Sequence, residues 1–439
     1  MKEHASQTSW EDLRKTLLDQ SGSTQAIDRF DTIVARRRFL KQLGRAGMLA
    51  ALGMFGAGAD AARKGLFGRG FLPVAWAAER PSTFAKPDML IHSEEPLNGE
   101  FPPHLLDASV TPTGRHFVRN NGLMPERARR SDAQGWTLTI DGEVRKALRL
   151  SLSDLEQFPS RSLKVVLECA GNGRAHFVPK VSGTPWDRGA VACSEWTGVR
   201  LRDVLKAAGL KPGANYLANY GEDPPHGAEP QFSRGIPLEK ALDEHTLIAF
   251  KLNGRPLPPV HGFPARLIVP GWIGSSMQKW LNRIGVRDRV HDSEFMSGYS
   301  YRVPAHSIAP GSKPSENEMV VATSTLVKSL ITSPKAETTF KAGEGWTARG
   351  HAWAGERKIS KVMVSLDYGI HWTKARLTEP ANKYAWYDWE VKLQLPRKGY
   401  YEIWARAFDN EGSAQPFVQP WNPKGYLGNV IHRVPIISV

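Results

Sequence analysis

Leu167-Glu168-Cys169-Ala170-Gly171-Asn172-Gly173-Arg174 is the most informative stretch of the chain. The β-branched residues just before it, Val165 and Val166, predict a strand that delivers the cysteine to a loop, where two glycines let the backbone turn tightly. Arg174 follows closely enough to favour a thiolate over a thiol, which suits a metal ligand or a nucleophile. Taken singly, the cysteine also fits an inert buried thiol at a strand end. The Gly-Asn-Gly triplet lacks the later glycine of a dinucleotide loop and the Gly-Lys-Ser/Thr of a P-loop, so nucleotide binding has no support. No familiar cysteine-protease context surrounds Cys169.

Outward from this loop, the flanking chain mixes short strands with short helices. Thr137 to Ile140 reads as a strand ending at an Asp141-Gly142 turn, Ser153 reads as the cap of a short helix through Leu155 and Phe158, and Leu163 to Leu167 as a strand. Leu201 to Lys206 has helical spacing closed by Gly209. Regular βαβ units are missing, so the fold class is α+β. From Pro81 to Pro125 the proline-rich sequence has no sustained period and reads as an extended arm. Beyond Lys313 to Val327 the pattern alternates with period two. Val362, Val364 and Leu366 oppose Lys361 and Ser365, and Tyr401, Ile403, Ala405 and Ala407 repeat the pattern, with turns at Asp367-Tyr368-Gly369 and Asp409 to Gly412. Short strands at roughly 8 to 12 residue spacing predict an immunoglobulin-like sandwich.

The 439 residues carry a formal charge of +14, which makes nucleic acid, acidic membrane surfaces and small anions candidate partners. Only two cysteines occur, Cys169 and Cys193, and these exclude a disulfide framework, a four-cysteine zinc site and a cysteine-ligated iron–sulfur cluster within the chain. Cys193 reads as a packed thiol. Near the N-terminus, Arg36-Arg37-Arg38-Phe39-Leu40-Lys41 precedes an uncharged apolar run from Ala46 to Ala59, too short for the roughly 20 residues of a membrane span. Ala75-Trp76-Ala77 follows as a small-x-small cleavage site. The segment resembles a twin-arginine export signal, which implies a periplasmic protein delivered folded, with no stable membrane insertion afterwards. Residues 1–77 hold 12 Lys+Arg and 7 Asp+Glu, so the mature chain keeps +9. Export and the scatter of the basic residues argue against nucleic acid.

Further motifs fall in order around the cysteine loop. They are Phe117-Val118-Arg119-Asn120-Asn121, Ser194 to Leu201, His261-Gly262-Phe263-Pro264-Ala265-Arg266, Pro270 to Gly274 running on to Lys279-Trp280-Leu281, Ser365 to Gly369 with Trp372, and Trp421-Asn422 leading to His432-Arg433-Val434. From about Pro103 to Val439 the chain resembles the sulfite oxidase family of molybdopterin enzymes, and looks most like its bacterial exported sulfite dehydrogenases without a fused haem domain. The resemblance implies a mixed α/β molybdopterin-binding catalytic domain over 78–312 and an immunoglobulin-like dimerisation domain over 313–439.

It further implies that Cys169 ligates molybdenum beside the dithiolene of one molybdopterin, a soft sulfur suiting that metal. Phe117, Val118, Arg119, Asn120, Asn121, His261, Arg266, Met277, Gln278 and Lys279 would hold the pterin and its phosphate, their basic members through charge-assisted hydrogen bonds. Asn121 stands where the family usually has His, and Met277 replaces a common polar residue, leaving its backbone as the contact. Arg119, Arg174, Trp186 and Arg433 match the family's oxyanion pocket. Each arginine about 4 Å from a dianion would contribute about several kcal/mol at an effective dielectric near 20, before desolvation. Tyr301 would be the active-site tyrosine, with Tyr299 its competitor.

The implied activity is oxidation of sulfite to sulfate, with electrons passed one at a time to a separate c-type cytochrome. Neither Cys-x-x-Cys-His nor His-Pro-Gly-Gly occurs, so no haem is expected in the chain. The alternatives are a related molybdopterin enzyme acting on sulfane sulfur or a sulfoxide, and a non-catalytic periplasmic anion-binding protein.

Overall fold

Strand Ser160–Glu168 carries the cysteine loop at its end, and it pairs antiparallel along its whole length with Val191–Arg200. The computed structural model describes residues 84–227 and 231–439. The export-like segment lies outside them. Leu247–Leu252 continues the sheet, with Arg255–Pro256 and Arg266–Ile268 beyond it. A second sheet runs in the order Leu148–Leu150, Leu138–Gly142, Leu281–Arg287, Tyr216–Gly221 and Ser233–Pro237. Its pair of Leu138–Gly142 with Leu281–Arg287 is parallel and the other pairs are antiparallel.

Helix Leu201–Ala208 buries Leu201, Val204, Leu205 and Ala208, the i, i+3, i+4, i+7 stripe expected of a helix with one face on a core. Gly209 ends it with φ of +68°, a conformation that favours glycine. The next helix back in the chain, Leu152–Glu156, corrects the expected cap. Ser151, not Ser153, accepts from the Asp154 amide, while the Asp154 carboxylate accepts from the Ser151 amide. This reciprocal pair satisfies two N-terminal donors at once, which Ser153 cannot do from inside the first turn.

The predicted arm is also corrected. Leu90–Glu94, Leu97–Glu100 and Val118–Arg119 form a small antiparallel sheet, in which Asn98 lies opposite Arg119. Leu97 and Val118 of this sheet, with Phe101 and Leu106 from the chain that follows its second strand, pack in one cluster with Val166, Cys193, Trp280, Leu330 and Trp353.

After residue 327 the chain forms two facing sheets. One comprises Lys328–Ser333, Gly345–Trp353, Tyr387–Gln394 and Arg376–Thr378, the other Thr338–Phe340, His432–Ser438, Gly399–Asp409, Ile359–Ser365 and Thr373–Lys374. The period-two pattern sorts the faces as expected. Tyr387, Trp389, Val391 and Leu393 turn inward to meet Ile403, Ala405, Ala407, Val434 and Ile436. The α+β reading of the first part and the two-sheet reading of the last part both hold. The described residues pack as one compact unit.

One glycine shows how closely the arm is seated. The Gly189 amide donates to Glu100 Oε2 at 2.7 Å, and a Cβ there would lie 1.8 Å from the Phe101 carbonyl oxygen. Backbone on both sides leaves no flexible atom to yield. Gly189→Ala is expected to destabilise the protein by about 2–3 kcal/mol through overpacking, measured by urea unfolding.

Candidate active site

The loop geometry begins where the first sheet ends. The Cys169 amide donates to the Ala190 carbonyl at 2.9 Å, the last rung before the chain turns away. Asn172 N then donates to Cys169 O and Arg174 N to Gly171 O, both at 2.9 Å, and Gly173 takes φ of +89°. The C-terminal segment braces the loop from the other side. Leu427 N donates to Ala170 O, and Arg174 Nε to Lys424 O, each at 2.8 Å.

Cys169 opens into a cavity with about 640 Å³ of empty space, its mouth included. Among the expected site residues, Phe117, Arg119, Asn121, His261, Arg266, Met277, Gln278, Lys279 and Tyr301 also line it. Val118 and Asn120 do not. Val118 is packed into the arm core, while buried Asn120 accepts from the Lys279 ammonium through Oδ1 and donates its own amide to Asn98 Oδ1 at 2.9 Å. Asn120 therefore positions the lysine from behind. Met277 contributes its carbonyl, which accepts from Arg266 Nη2 at 3.0 Å.

The expected oxyanion group divides. Arg119 and Tyr301 meet at one atom: Asn121 Oδ1 accepts from Arg119 Nη2 at 2.6 Å and from the Tyr301 hydroxyl at 3.1 Å. The Tyr301 ring stacks on Tyr426 at 5.1 Å, and the buried Arg234 guanidinium lies 4.8 Å from its centre. Tyr301 and Trp280, both on the cavity wall, have φ of +50° and +49°, a costly conformation for bulky residues that occurs preferentially at functional sites. Tyr299 is turned elsewhere, donating to the Pro314 carbonyl. Arg174 lies just behind the loop, its Nη1 donating to Thr184 O at 2.8 Å and its guanidinium 5.3 Å from the Tyr426 ring.

Two expectations fail. Trp186 is fully buried behind Phe117, with ring centres 6.4 Å apart, and supports the wall without forming it. Arg433 is not at the site. His432 and Val434 point inward, so the strand alternation sends Arg433 outward, where its guanidinium sits 4.1 Å over Trp404 and donates to Phe417 O at 3.1 Å. It lines a different cleft, with His104, Lys335 and His432.

The thiol itself behaves differently from the sequence expectation. Burial raises the Cys169 pKa above its ordinary value, and the opposing pull of Arg119, Arg174 and the Gly171 amide does not overcome it. A cation at the sulfur would be needed to hold the thiolate. Cys193 is buried and pushed up to about 12, also by burial, and both cysteines are free thiols.

Several functional groups carried no motif that singled them out. His116 precedes the Phe117 motif and lines the cavity, as do Ser275, Phe232 and Asp223. Lys86, from the arm, donates from Nζ to Thr113 O at 2.7 Å, to His116 O at 2.6 Å and to His261 Nε2 at 2.7 Å. When Lys86 is an ammonium, these three acceptors use all three of its protons, and His261 then carries its own proton on Nδ1. The His116 Nδ1–H donates to Phe117 O at 3.0 Å, which leaves Nε2 as an acceptor without a partner. Burial lowers the pKa of both histidines well below the ordinary value, as do neighbouring cations, Lys86 foremost.

The cavity is thus rich in cations and poor in counter-charge. Burial brings Lys86 down to about 7 and Arg266 to about 9, and it lowers Lys279 strongly, helped by Arg266 and opposed by Asp223. An entering anion would favour the charged forms of all three. Buried atoms without partners on the wall include acceptors at His116 Nε2, Asp223 Oδ1 and Gln278 Oε1, a donor at Arg266 Nε and the Ser275 hydroxyl. Such a set is costly unless a ligand presenting both donors and anionic acceptors completes it.

Asp223 gives this a pH signature. Burial raises its pKa from 3.8 to about 7, so between those values the folded state holds one proton more than the unfolded state. The contribution of Asp223 to stability then falls as pH rises from about 4 to 7, by on the order of 4 kcal/mol in full, against the rise that the lowered pKa values of His116 and His261 contribute below about 6.5. In ligand-free protein, the difference in melting temperature between Asp223→Asn and wild type is expected to shift in favour of the variant as pH rises across this window, as followed by calorimetry.

The chain matches two family descriptions in tandem: an oxidoreductase molybdopterin binding domain over residues 124–295 and a Mo-co oxidoreductase dimerisation domain over residues 320–439. It is 35% identical over 369 residues to the mitochondrial sulfite oxidase of Rattus norvegicus, covering 79% of this chain and 65% of that one. It is 32% identical over 389 residues to an NADH nitrate reductase of Oryza sativa subsp. japonica, covering 82% of this chain and 42% of that one. The chain therefore spans less than two thirds of the length of either relative. Among solved structures, the sulfane dehydrogenase SoxCD from Paracoccus pantotrophus superposes with a TM-score of 0.66 at 29% identity, over 82% of this chain and 86% of that one.

Proposed function

The chain belongs to the sulfite oxidase family of molybdopterin oxidoreductases, and from that premise we propose that it oxidises sulfite to sulfate in the periplasm and passes the electrons singly to a separate c-type cytochrome. The observation that carries this reading is a lone cysteine thiol opening into a buried cationic cavity whose wall leaves both donors and acceptors unpaired.

The donor set fits a molybdopterin. Its ring amino groups and ring nitrogens match the acceptors and donors of His116, Asp223, Gln278 and His261, and its phosphate matches Arg266, Lys279 and the Ser275 hydroxyl. Cys169 would hold the metal, whose positive charge overcomes the burial penalty on the thiolate. When bound, the cofactor supplies the two-electron chemistry and the oxygen acceptor and donor sites on molybdenum. The chain's own part is positioning and charge. Arg119, on the cavity wall, would counter the substrate's charge directly, and Arg174 adds positive potential from behind the cysteine loop, while Asn121 holds the Arg119 guanidinium and the Tyr301 hydroxyl at one oxygen. Tyr301 is thereby held as a hydrogen-bonding group at the cavity wall.

The periplasmic assignment is supported by the twin-arginine-like sequence at Arg36 to Lys41 and the apolar run after it. A homodimer through the C-terminal sandwich follows from the family description matched there, and sedimentation of the purified protein at twice the monomer mass would bear it out. Elemental analysis is expected to give molybdenum near one per chain, and the metal-loaded protein is expected to reduce cytochrome c or ferricyanide when sulfite is added. Fully loaded protein without that activity would refute the reading. The likeness to SoxCD supports a second reading, oxidation of protein-bound sulfane sulfur. Higher kcat/KM on a sulfane-bearing carrier than on sulfite would favour it.

A further inference from the structure

We propose that Lys328, on the C-terminal sandwich, is a positioning residue for the Cys169 loop and acts through Glu168. The inference rests on the reading that Cys169 binds the metal. Glu168, the residue before the cysteine, is 3% exposed, and both of its carboxylate oxygens are engaged. Oε1 accepts from the Lys328 ammonium and from Asn172 Nδ2 at 2.9 Å, and Oε2 accepts from the Trp353 indole at 2.8 Å. Asn172 then passes the constraint on, because its Oδ1 accepts from the Ala190 amide at 3.1 Å, and the Ala190 carbonyl is the one that holds the Cys169 amide. Both turns of the cysteine loop are therefore tied to one carboxylate.

The far end of this network lies in the sandwich. Lys328 opens strand Lys328–Ser333 and Trp353 closes strand Gly345–Trp353, and the two residues face each other in register. A small crevice, with about 190 Å³ of empty space, lies behind the loop between Glu168, Cys169, Lys328 and Leu427. Lys328 therefore reaches the back of the loop that the main cavity exposes at the front.

Stability gives little reason for such an arrangement. A buried ion pair roughly cancels its own attraction through desolvation, and an apolar pair of similar volume would join the two parts as well or better. What charge and three directed hydrogen bonds provide is a fixed place for Glu168, hence a fixed direction for the thiol that follows it. Orientation of a ligating group through its neighbours commonly alters metal affinity or activity by about 10- to 100-fold.

The decisive variant removes both charges, Glu168→Gln with Lys328→Met, because Lys328→Met alone would strand a buried carboxylate and could fail to fold. Lys328→Arg is the conservative companion. Three quantities are measured on the metal-loaded enzyme: molybdenum per chain, the position of the thiolate-to-metal absorption band, and steady-state kinetics with sulfite. The double variant is expected to melt within a few degrees of wild type, with a displaced band, kcat lowered about tenfold and KM within about twofold. Lys328→Arg is expected to keep the wild-type band and at least half of kcat. A double variant with wild-type band and kcat would overturn the proposal, as would one whose only change is a lower melting temperature. Wild-type protein lacking the metal or its thiolate band would overturn the underlying reading, and this inference with it.

Discussion

Serine in place of Cys169 is expected to abolish turnover, by at least about 10³-fold, and to bring molybdenum well below one per chain. The reason lies in the chemistry of the atom. A thiolate is soft and, once a metal cation offsets burial, readily deprotonated. A serine hydroxyl in the same place is hard, and far more reluctant to lose its proton in a site where burial already raises the pKa of the thiol. Shape is nearly conserved, so the loop should survive: its hydrogen bonds run through the backbone of Cys169, Gly171 and Asn172 and through the Ala170 carbonyl, and the one the sulfur accepts, from the Gly171 amide, is one a serine oxygen can also accept. Unchanged far-ultraviolet circular dichroism with lost metal would separate ligation from folding. Retention of more than a tenth of wild-type turnover would show that the thiol is not the ligand and would remove the central premise of the proposed function.

That loop was legible in the sequence because a strand, two glycines and a cysteine leave few ways to fold. The sandwich was legible for a similar reason. Period two in Val362-Val364 and Ile403-Ala405-Ala407 records directly which side chains turn inward. The arm was not legible, since its three strands are only four or five residues long or shorter and are held by partners distant in sequence, as with Asn98 opposite Arg119. Local pattern carries no record of such pairings. Lys86 and Asp223 escaped for the same reason: each is an ordinary surface-type residue until tertiary packing sets Asp223 on the cavity wall and Lys86 behind His116 and His261. Arg433 failed in the opposite way. The motif around it matched, but strand alternation, visible in His432-Arg433-Val434, already placed it outside.

Arg119→Met is expected to lower kcat/KM for sulfite by about 10²- to 10³-fold, equivalent to about 2.7–4 kcal/mol. Two losses combine. The first is Coulombic: a guanidinium about 4 Å from an anion contributes on the order of 4 kcal/mol for each unit of opposing charge at an effective dielectric near 20, part of it offset by desolvation. The second is geometric, because Arg119 and Tyr301 share Asn121 Oδ1, and without the stronger of the two contacts, the 2.6 Å bond, the amide can rotate and release the tyrosine. The Coulombic part acts on bound substrate and should appear mainly in KM, whereas the geometric part should appear in kcat. Asn121→Ala separates them, since it frees Tyr301 while Arg119, losing its Nη2 bond, is still held through Nη1 by Asn98 Oδ1 at 3.2 Å and the Asn120 carbonyl. Its kcat should fall while KM stays within about threefold, a split that a purely structural role for Asn121 would not give. Arg433→Met serves as the counter-test. Its guanidinium faces Trp404 and the Phe417 carbonyl, outside the cavity that Cys169 lines, so kcat/KM should stay within about twofold of wild type. If Arg433→Met instead matched Arg119→Met in its loss of kcat/KM, the anion would have to approach through the outer cleft, and the cavity at Cys169 would lose its claim to the substrate.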